Sequence, residues 1–146
     1  MNYVLDTNIL IHAVKESTTF NDLDDKFNFF ASVNNTFISS VTIGELYSFA
    51  LQHNWGGKRW QKIQLLLKLL KPIPVESESL IIAYSQIDAF SNGRHPSLNL
   101  GLSARNMGKN DLWIASTTLV TQSTLITLDK DFVHLNNIFF KVEYIF

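Results

Sequence analysis

The segment YVLDTN, residues 3–8, constrains the fold most, because a short apolar run ends directly in an acidic residue. An unbroken apolar run of this length is typical of a strand that is covered on both faces, as in a parallel sheet. Asp6 follows that strand, and Thr7 and Asn8 open a helical pattern immediately after it. Asp6 is therefore predicted at the carboxyl end of a strand, which is the edge where open α/β sheets bind their ligands.

Strand-like and helix-like segments alternate along the rest of the chain. Further strands are predicted at 36–41, 73–75, 124–129 and 139–146, and helices at 7–15, 20–33, 42–52, 57–71, 77–91 and 110–120, with a short helical turn at 131–135. Such alternation favours a parallel sheet with right-handed crossovers. We therefore predict one α/β domain over residues 1–146, with a central, mostly parallel sheet.

Composition narrows the class of protein. The chain of 146 residues has no cysteine, which excludes disulfides and thiolate metal sites. It contains no apolar run near the roughly 18 residues of a spanning helix and no signal-peptide pattern, so we expect a soluble, cytoplasmic protein with no membrane contact. The net charge of −1 does not by itself indicate nucleic-acid binding. Residues 46–75, however, carry five basic and no acidic side chains, which would help to guide a polyanion.

Four acids lie at predicted element edges, and each has a structural explanation when taken alone. Asp6 is a candidate helix cap, and Glu45 follows Thr42 by three residues, which is the spacing of a capping box. Asp111 falls in the first turn of a helix, where an acid complements the helix dipole. Asp129 ends a strand, and Asp131 is a candidate cap for the short helical turn after it.

The four acids together suggest a metal site. If the strands are parallel, Asp6, Glu45, Asp111 and Asp129 all face one end of the sheet, where their mutual repulsion is costly unless a cation neutralises it. Oxygen ligands without cysteine or clustered histidine suit Mg²⁺ or Mn²⁺. Such an ion activates a bound water and stabilises charge on a phosphodiester, so the pattern indicates a metal-dependent phosphodiesterase.

Four motifs in order, VLDTN (4–8), TIGEL (42–46), GKNDLWIA (108–115) and LITLDKDF (125–132), resemble those of PIN-domain ribonucleases. The resemblance covers essentially the whole chain and is strongest to the VapC toxins of VapBC toxin–antitoxin pairs. It implies a PIN-like three-layer α/β/α sandwich. The family's metal-binding and catalytic acids carry over to Asp6, Glu45, Asp111 and Asp129; the supporting polar positions carry over to Thr7, Asn8, Thr42, Thr127 and Asp131.

The resemblance also implies a function. It predicts an endoribonuclease that uses Mg²⁺ or Mn²⁺, acts as the toxin of a type II toxin–antitoxin pair, forms a homodimer and is inhibited by a small antitoxin. Asp129 and Asp131 are only two residues apart, and Asp129 is favoured as the fourth acid. Arg105, Lys109 and Lys130 flank the acids and are candidates for contacts to RNA phosphates.

Two rival functions stay open at this point. A phosphatase of the haloacid-dehalogenase type also begins with a strand that ends in Asp, but it requires a second Asp two residues later, where this chain has Asn8. A catalytically silent PIN-like module that binds RNA or protein would be expected to lack one or more of the acids, and here all four are present.

Overall fold

The computed structural model describes residues 1–146 and contains a sheet of five parallel strands. The strands are β1 (Asn2–Leu5), β2 (Asn35–Ser39), β3 (Lys71–Ile73), β4 (Thr124–Thr127) and β5 (Lys141–Tyr144). Their spatial order is β3-β2-β1-β4-β5, and every neighbouring pair is parallel. The prediction of an α/β fold with a mostly parallel central sheet is confirmed.

Six α-helices and one 3-10 helix connect and cover these strands. They are α1 (Thr7–Val14), α2 (Thr18–Phe27), α3 (Ser40–Gln52), α4 (Gly57–Leu69), α5 (Glu78–Ser91), α6 (Lys109–Val120) and the 3-10 helix Lys130–Leu135. None of the helices is long and apolar enough to cross a membrane.

Strand β1 lies at the centre of the sheet because its side chains enter the apolar core on both faces. Tyr3 and Leu5 belong to the cluster formed with α1 to α4. Val4 belongs to a second cluster with α5, α6 and the 3-10 helix. Successive strand residues point to opposite faces, so the apolar run of β1 can serve both layers. This produces the α/β/α sandwich.

Several element boundaries differ from the sequence-based prediction. The helix predicted over 20–33 ends at Phe27, since Asn28 adopts a left-handed conformation with φ 51° and ends the helix. The strand predicted at 73–75 forms at Lys71–Ile73, at the edge of the sheet where Pro72 removes no internal ladder bond. Strand β4 ends at Thr127, two residues before Asp129.

Candidate active site

A groove of about 690 Å³ opens at the carboxyl end of the sheet, between the start of α1 and one face of α3. It brings together four of the predicted acids from distant parts of the sequence. The lining residues include Asp6, Thr7, Asn8, Glu45, Asn110, Asp111 and Asp129. The groove forms here because β1 and β4 are adjacent and parallel, which places the segments that follow them side by side.

Asp6 is held rigidly at the base of the groove. It caps α1, and its Oδ1 accepts a hydrogen bond of 2.7 Å from the Thr7 N–H. Its Oδ2 accepts a second hydrogen bond of 2.7 Å from the hydroxyl of Thr127, and its side chain is only 4% exposed. The carboxylate is therefore oriented by one local and one long-range donor.

Glu45 is oriented by α1 rather than by its own helix. The Thr7 hydroxyl donates a hydrogen bond of 2.7 Å to Glu45 Oε1. The capping-box prediction is wrong, because α3 begins at Ser40 and Ser39 is its cap, accepting from the Val41 N–H. Thr42 lies within the helix, fully buried, and its hydroxyl has no hydrogen-bond partner. Glu45 is thus free of any capping role.

Asp111 and Asp129 complete the acidic lining. Asp111 lies in the first turn of α6, and a Cβ at Gly108 would come within 3.2 Å of its Oδ2, so the glycine leaves room for the carboxylate. Asp129 is the cap of the 3-10 helix and accepts a hydrogen bond of 2.8 Å from the Asp131 N–H. The cap of this helix is therefore Asp129, and the prediction that Asp131 is the cap is wrong. Asp131 is exposed and does not line the groove.

The electrostatics of the groove disfavour full ionisation of its acids. Burial raises the pKa of Asp6 from 3.8 to about 6; the hydrogen bonds from Thr127 and Thr7 lower it, and the charges of Glu45 and Asp129 raise it further. Burial also raises the pKa of Asp111, to about 7, with added repulsion from neighbouring carboxylates, first among them Asp6 and Asp129. Charge repulsion thus adds to burial in raising the pKa of both acids.

The donor set fits a hard divalent cation by its chemistry. All the candidate ligands are carboxylate oxygens, which Mg²⁺ and Mn²⁺ prefer. No three histidine, aspartate or glutamate side chains are close enough together to hold an ion as they stand. The acids therefore line one groove without forming a complete cage of ligands, and their fit to a cation rests on the chemistry of their oxygens.

The predicted cations lie around the groove rather than in it. Lys109 lines a small depression beside the groove together with Glu45 and Asp111. Arg105 and Lys130 are exposed and do not contribute to the lining. Their contact to RNA stays a prediction.

Sequence reasoning missed four polar or aromatic residues of the groove. Asn110 precedes Asp111, and the other three lie on α3 beyond Glu45, at Ser48, Phe49 and Gln52. Spacings of three, four and seven residues from Glu45 place these three on the same face of a helix. That periodicity would have been the signal in the sequence.

Thr127 connects Asp6 and Asp129 through its hydroxyl, and we expect this connection to stabilise the fold. Its hydroxyl donates to Asp6 and also accepts a hydrogen bond of 2.9 Å from the Asp129 N–H, in a fully buried position. Thr127→Val removes both interactions, and we expect the free energy of unfolding to fall by about 1–3 kcal/mol in urea denaturation. Thr127→Ser keeps the hydroxyl and serves as the control. Equal stability of the Val and Ser variants would contradict this role.

The family of the chain follows from comparison with known proteins. The family model described as PIN domain matches residues 3–138, which includes all four acids. The chain belongs to the PIN-domain family. Members of this family are nucleases, which are hydrolases. No curated protein sequence matches this chain significantly.

Solved structures show the same PIN-domain fold. VapBC2 from Rickettsia felis, bound to a DNA fragment from its promoter, matches at 25% identity with a TM-score of 0.77, covering 99% of each chain. VapBC-1 from nontypeable Haemophilus influenzae matches at 23% identity with a TM-score of 0.70, and the match covers 99% of this chain and 98% of that chain. VapBC from Salmonella typhimurium, also bound to DNA, matches at 19% identity with a TM-score of 0.66, and the match covers 99% of this chain and 98% of that chain. The resemblance to VapC-like proteins and the PIN-like sandwich are confirmed.

Proposed function

We propose that this PIN-domain protein is a Mg²⁺- or Mn²⁺-dependent endoribonuclease and the toxin of a type II toxin–antitoxin pair, acting in the cytoplasm. The observation that carries the proposal is the convergence of Asp6, Glu45, Asp111 and Asp129 on one groove, where the pKa of Asp6 rises to about 6 and that of Asp111 to about 7. Such a cluster is unfavourable at neutral pH without a cation, and it suits a divalent one.

Each residue then has a defined part in hydrolysis. Asp6, Glu45 and Asp111 would hold the metal, with Asp129 assisting the ion or orienting the attacking water. The bound ion would lower the pKa of that water and offset charge on the phosphodiester. Thr127 and Thr7 fix the orientation of Asp6 and Glu45 through hydrogen bonds of 2.7 Å. Such preorganisation is valuable because the carboxylates need not reorient during the reaction.

Incubation of the purified protein with a pool of structured RNA tests the proposal, in Mg²⁺, in Mn²⁺ and in EDTA. We expect cleavage with either metal and none in EDTA. A folded protein that neither cuts this RNA nor binds Mn²⁺ would favour the silent binding module. Release of phosphate from small phosphomonoesters, without RNA cleavage, would favour the phosphatase.

Glu45→Gln separates metal binding from a structural role of the carboxylate. The amide oxygen still accepts from the Thr7 hydroxyl, and Ser39 remains the cap of α3. We expect the free energy of unfolding to change by less than about 0.5 kcal/mol, while Mn²⁺ affinity falls by at least about tenfold. Calorimetric titration and urea denaturation measure the two effects. Glu76→Gln, at an exposed acid outside the groove, is the control. A large loss of stability in Glu45→Gln would show that this carboxylate supports the fold instead of a metal.

The proposal includes two protein partners. The structural neighbours from Rickettsia felis and Haemophilus influenzae are VapBC complexes, and we extend to this chain the expectation of a small antitoxin and of a homodimer. Helix α4 offers an apolar surface for one of these contacts, because Leu65 and Leu69 are 61% and 58% exposed. Both leucines line a shallow apolar groove of about 210 Å³ together with Ala13 and Phe20.

Substitution of both exposed leucines tests this surface. We expect Leu65→Lys combined with Leu69→Lys to abolish either the homodimer or the complex with a coexpressed cognate antitoxin, because burial of each leucine contributes about 1.5–3 kcal/mol. Size-exclusion chromatography with light scattering measures both assemblies. RNA cleavage by the monomer should be unchanged, since α4 does not line the acidic groove. If both the homodimer and the antitoxin complex persisted, this surface would be excluded as the interface of either.

A further inference from the structure

The groove continues along α3 beyond the four acids. Ser48, Phe49 and Gln52 line this extension, on the same helix face as Glu45. Four residues of an α-helix advance about 6 Å and seven about 10 Å, so the extension reaches well past the carboxylates. None of its lining residues is acidic. The groove therefore changes from acidic to neutral and aromatic along its length.

Aromatic rings and cations cluster where this extension ends. The imidazole of His53 stacks on Phe49, with ring centroids 3.9 Å apart and an interplanar angle of 15°. Trp55 meets the same phenyl ring edge-on at 5.4 Å. Lys15 Nζ lies 5.4 Å from the Phe49 centroid, and the Arg59 guanidinium lies 5.2 Å from the Trp55 ring. We call these five residues the distal platform.

The cations of the distal platform are not neutralised by the protein. The acid next to Lys15 in sequence, Glu16, pairs with Lys62 at 2.6 Å, and the second salt bridge joins Lys141 to Glu143. Neither Lys15 nor Arg59 takes part in a salt bridge, and both are exposed. Phe49 joins the two features, because it lines the acidic groove while His53 and the unpaired Lys15 lie against its ring just outside the lining.

We propose that the distal platform binds a nucleotide of single-stranded RNA next to the one cleaved, with its base against the Phe49–His53 pair and its phosphate against Lys15 and Arg59. The inference rests on the proposed nuclease function and adds the path of the substrate. Stacking on aromatic rings and contact with cations together are the features that bind single strands without strong sequence preference. A basic peptide suited to the acidic end would be repelled by these cations, which favours RNA.

Equilibrium binding of RNA tests the distal platform independently of cleavage. The probe is a fluorescent, mixed-sequence single-stranded RNA with Mg²⁺, and Asp6→Asn is the background so that the strand stays intact. We expect His53→Ala and Phe49→Leu to weaken binding roughly fivefold to a hundredfold. His53 is exposed, so its substitution does not threaten the fold. Phe49→Leu keeps an apolar side chain against the core.

Salt dependence distinguishes the cations from the rings. Lys15→Ala should reduce the slope of log affinity against log salt by about 0.7, the value for one phosphate contact on a single strand. Phe49→Leu removes a neutral ring and should leave that slope unchanged. Lys68→Ala is the matched control, because Lys68 is an exposed cation on α4 and lies over no ring of the distal platform.

Two results would overturn the inference. One is binding of RNA by the Lys15, Phe49 and His53 variants that equals binding by the Lys68→Ala control. The other is unchanged RNA binding with weakened binding of the antitoxin, which would assign the distal platform to the protein partner. Metal-dependent cleavage by the otherwise unmodified protein is a separate measurement, so either result can occur while the nuclease function stands.

Discussion

Asp6→Asn is expected to reduce metal-dependent RNA cleavage by at least roughly a thousandfold. A catalytic metal contributes several kcal/mol to transition-state stabilisation, and each 1.36 kcal/mol is a factor of ten in rate. Asp6 is the most deeply buried acid of the groove, at 4% exposure, and two donors hold its carboxylate in place. Asparagine occupies the same volume but binds a divalent cation much more weakly.

The same variant should stabilise the metal-free protein, which separates a functional residue from a structural one. At pH 8 the change removes a buried charge whose pKa is raised from 3.8 to about 6, a difference worth roughly 3 kcal/mol. Rearrangement of the Thr127 hydrogen bond offsets about 1 kcal/mol of this gain. Urea denaturation in EDTA should therefore show a net gain of roughly 2 kcal/mol.

Controls make this result decisive. Asp25→Asn, at an exposed acid of α2 outside the groove, should change neither cleavage nor stability. Asp111→Asn should also abolish cleavage, because it removes the second acid whose pKa is raised. Full activity of either groove variant would refute the assignment of the metal-binding residues. Loss of both activity and stability in Asp6→Asn would indicate that Asp6 serves chiefly as the cap of α1.

The second large effect is a stability that falls with rising pH when no metal is bound. A carboxyl whose pKa is raised by folding binds protons more tightly in the folded than in the unfolded protein. Its contribution to the free energy of unfolding is therefore complete below pH 3.8 and is lost as the pH rises through the pKa of the folded state. For Asp6 the loss runs from pH 3.8 to about 6 and amounts to roughly 3 kcal/mol. For Asp111, which is partly exposed, the same loss extends to about pH 7.

Added metal should reverse this trend. At pH 8 Mg²⁺ in hundredfold excess over its dissociation constant stabilises by about 2.7 kcal/mol, because it binds only the folded protein. Near pH 4 the same addition should have almost no effect, since protons compete for the carboxylates. Chemical denaturation of the unmodified protein and of Asp6→Asn across this range measures the effect. The difference between their curves reports Asp6 together with its charge coupling to Asp111, and it cancels the titrating groups remote from the groove. Parallel curves in EDTA would contradict the raised pKa of Asp6.

The sequence by itself determined the architecture and the meeting of the acids. The apolar run before Asp6 has no alternation, so it must be covered on both faces, and it occupies the central strand. Because parallel strands end at one edge, Asp6 and Asp129 had to meet there, with Glu45 in the second turn of α3 and Asp111 in the first turn of α6. Local chemistry and strand direction are sufficient for that conclusion.

The family resemblance named Thr7 and Thr127 among the supporting residues, but only the tertiary structure decided which acid each of them supports. The hydroxyls of Thr127 and Thr7 reach carboxylates 121 and 38 residues away, and no local pattern encodes such pairs. The helix start at Ser40 removed Glu45 from its predicted cap, and the groove includes Asp129 rather than Asp131. The distal platform likewise depends on packing α1 against α3, which places Lys15 over Phe49. Side-chain partners, burial and the resulting pKa values arise from long-range packing, so they follow the fold and not the sequence pattern.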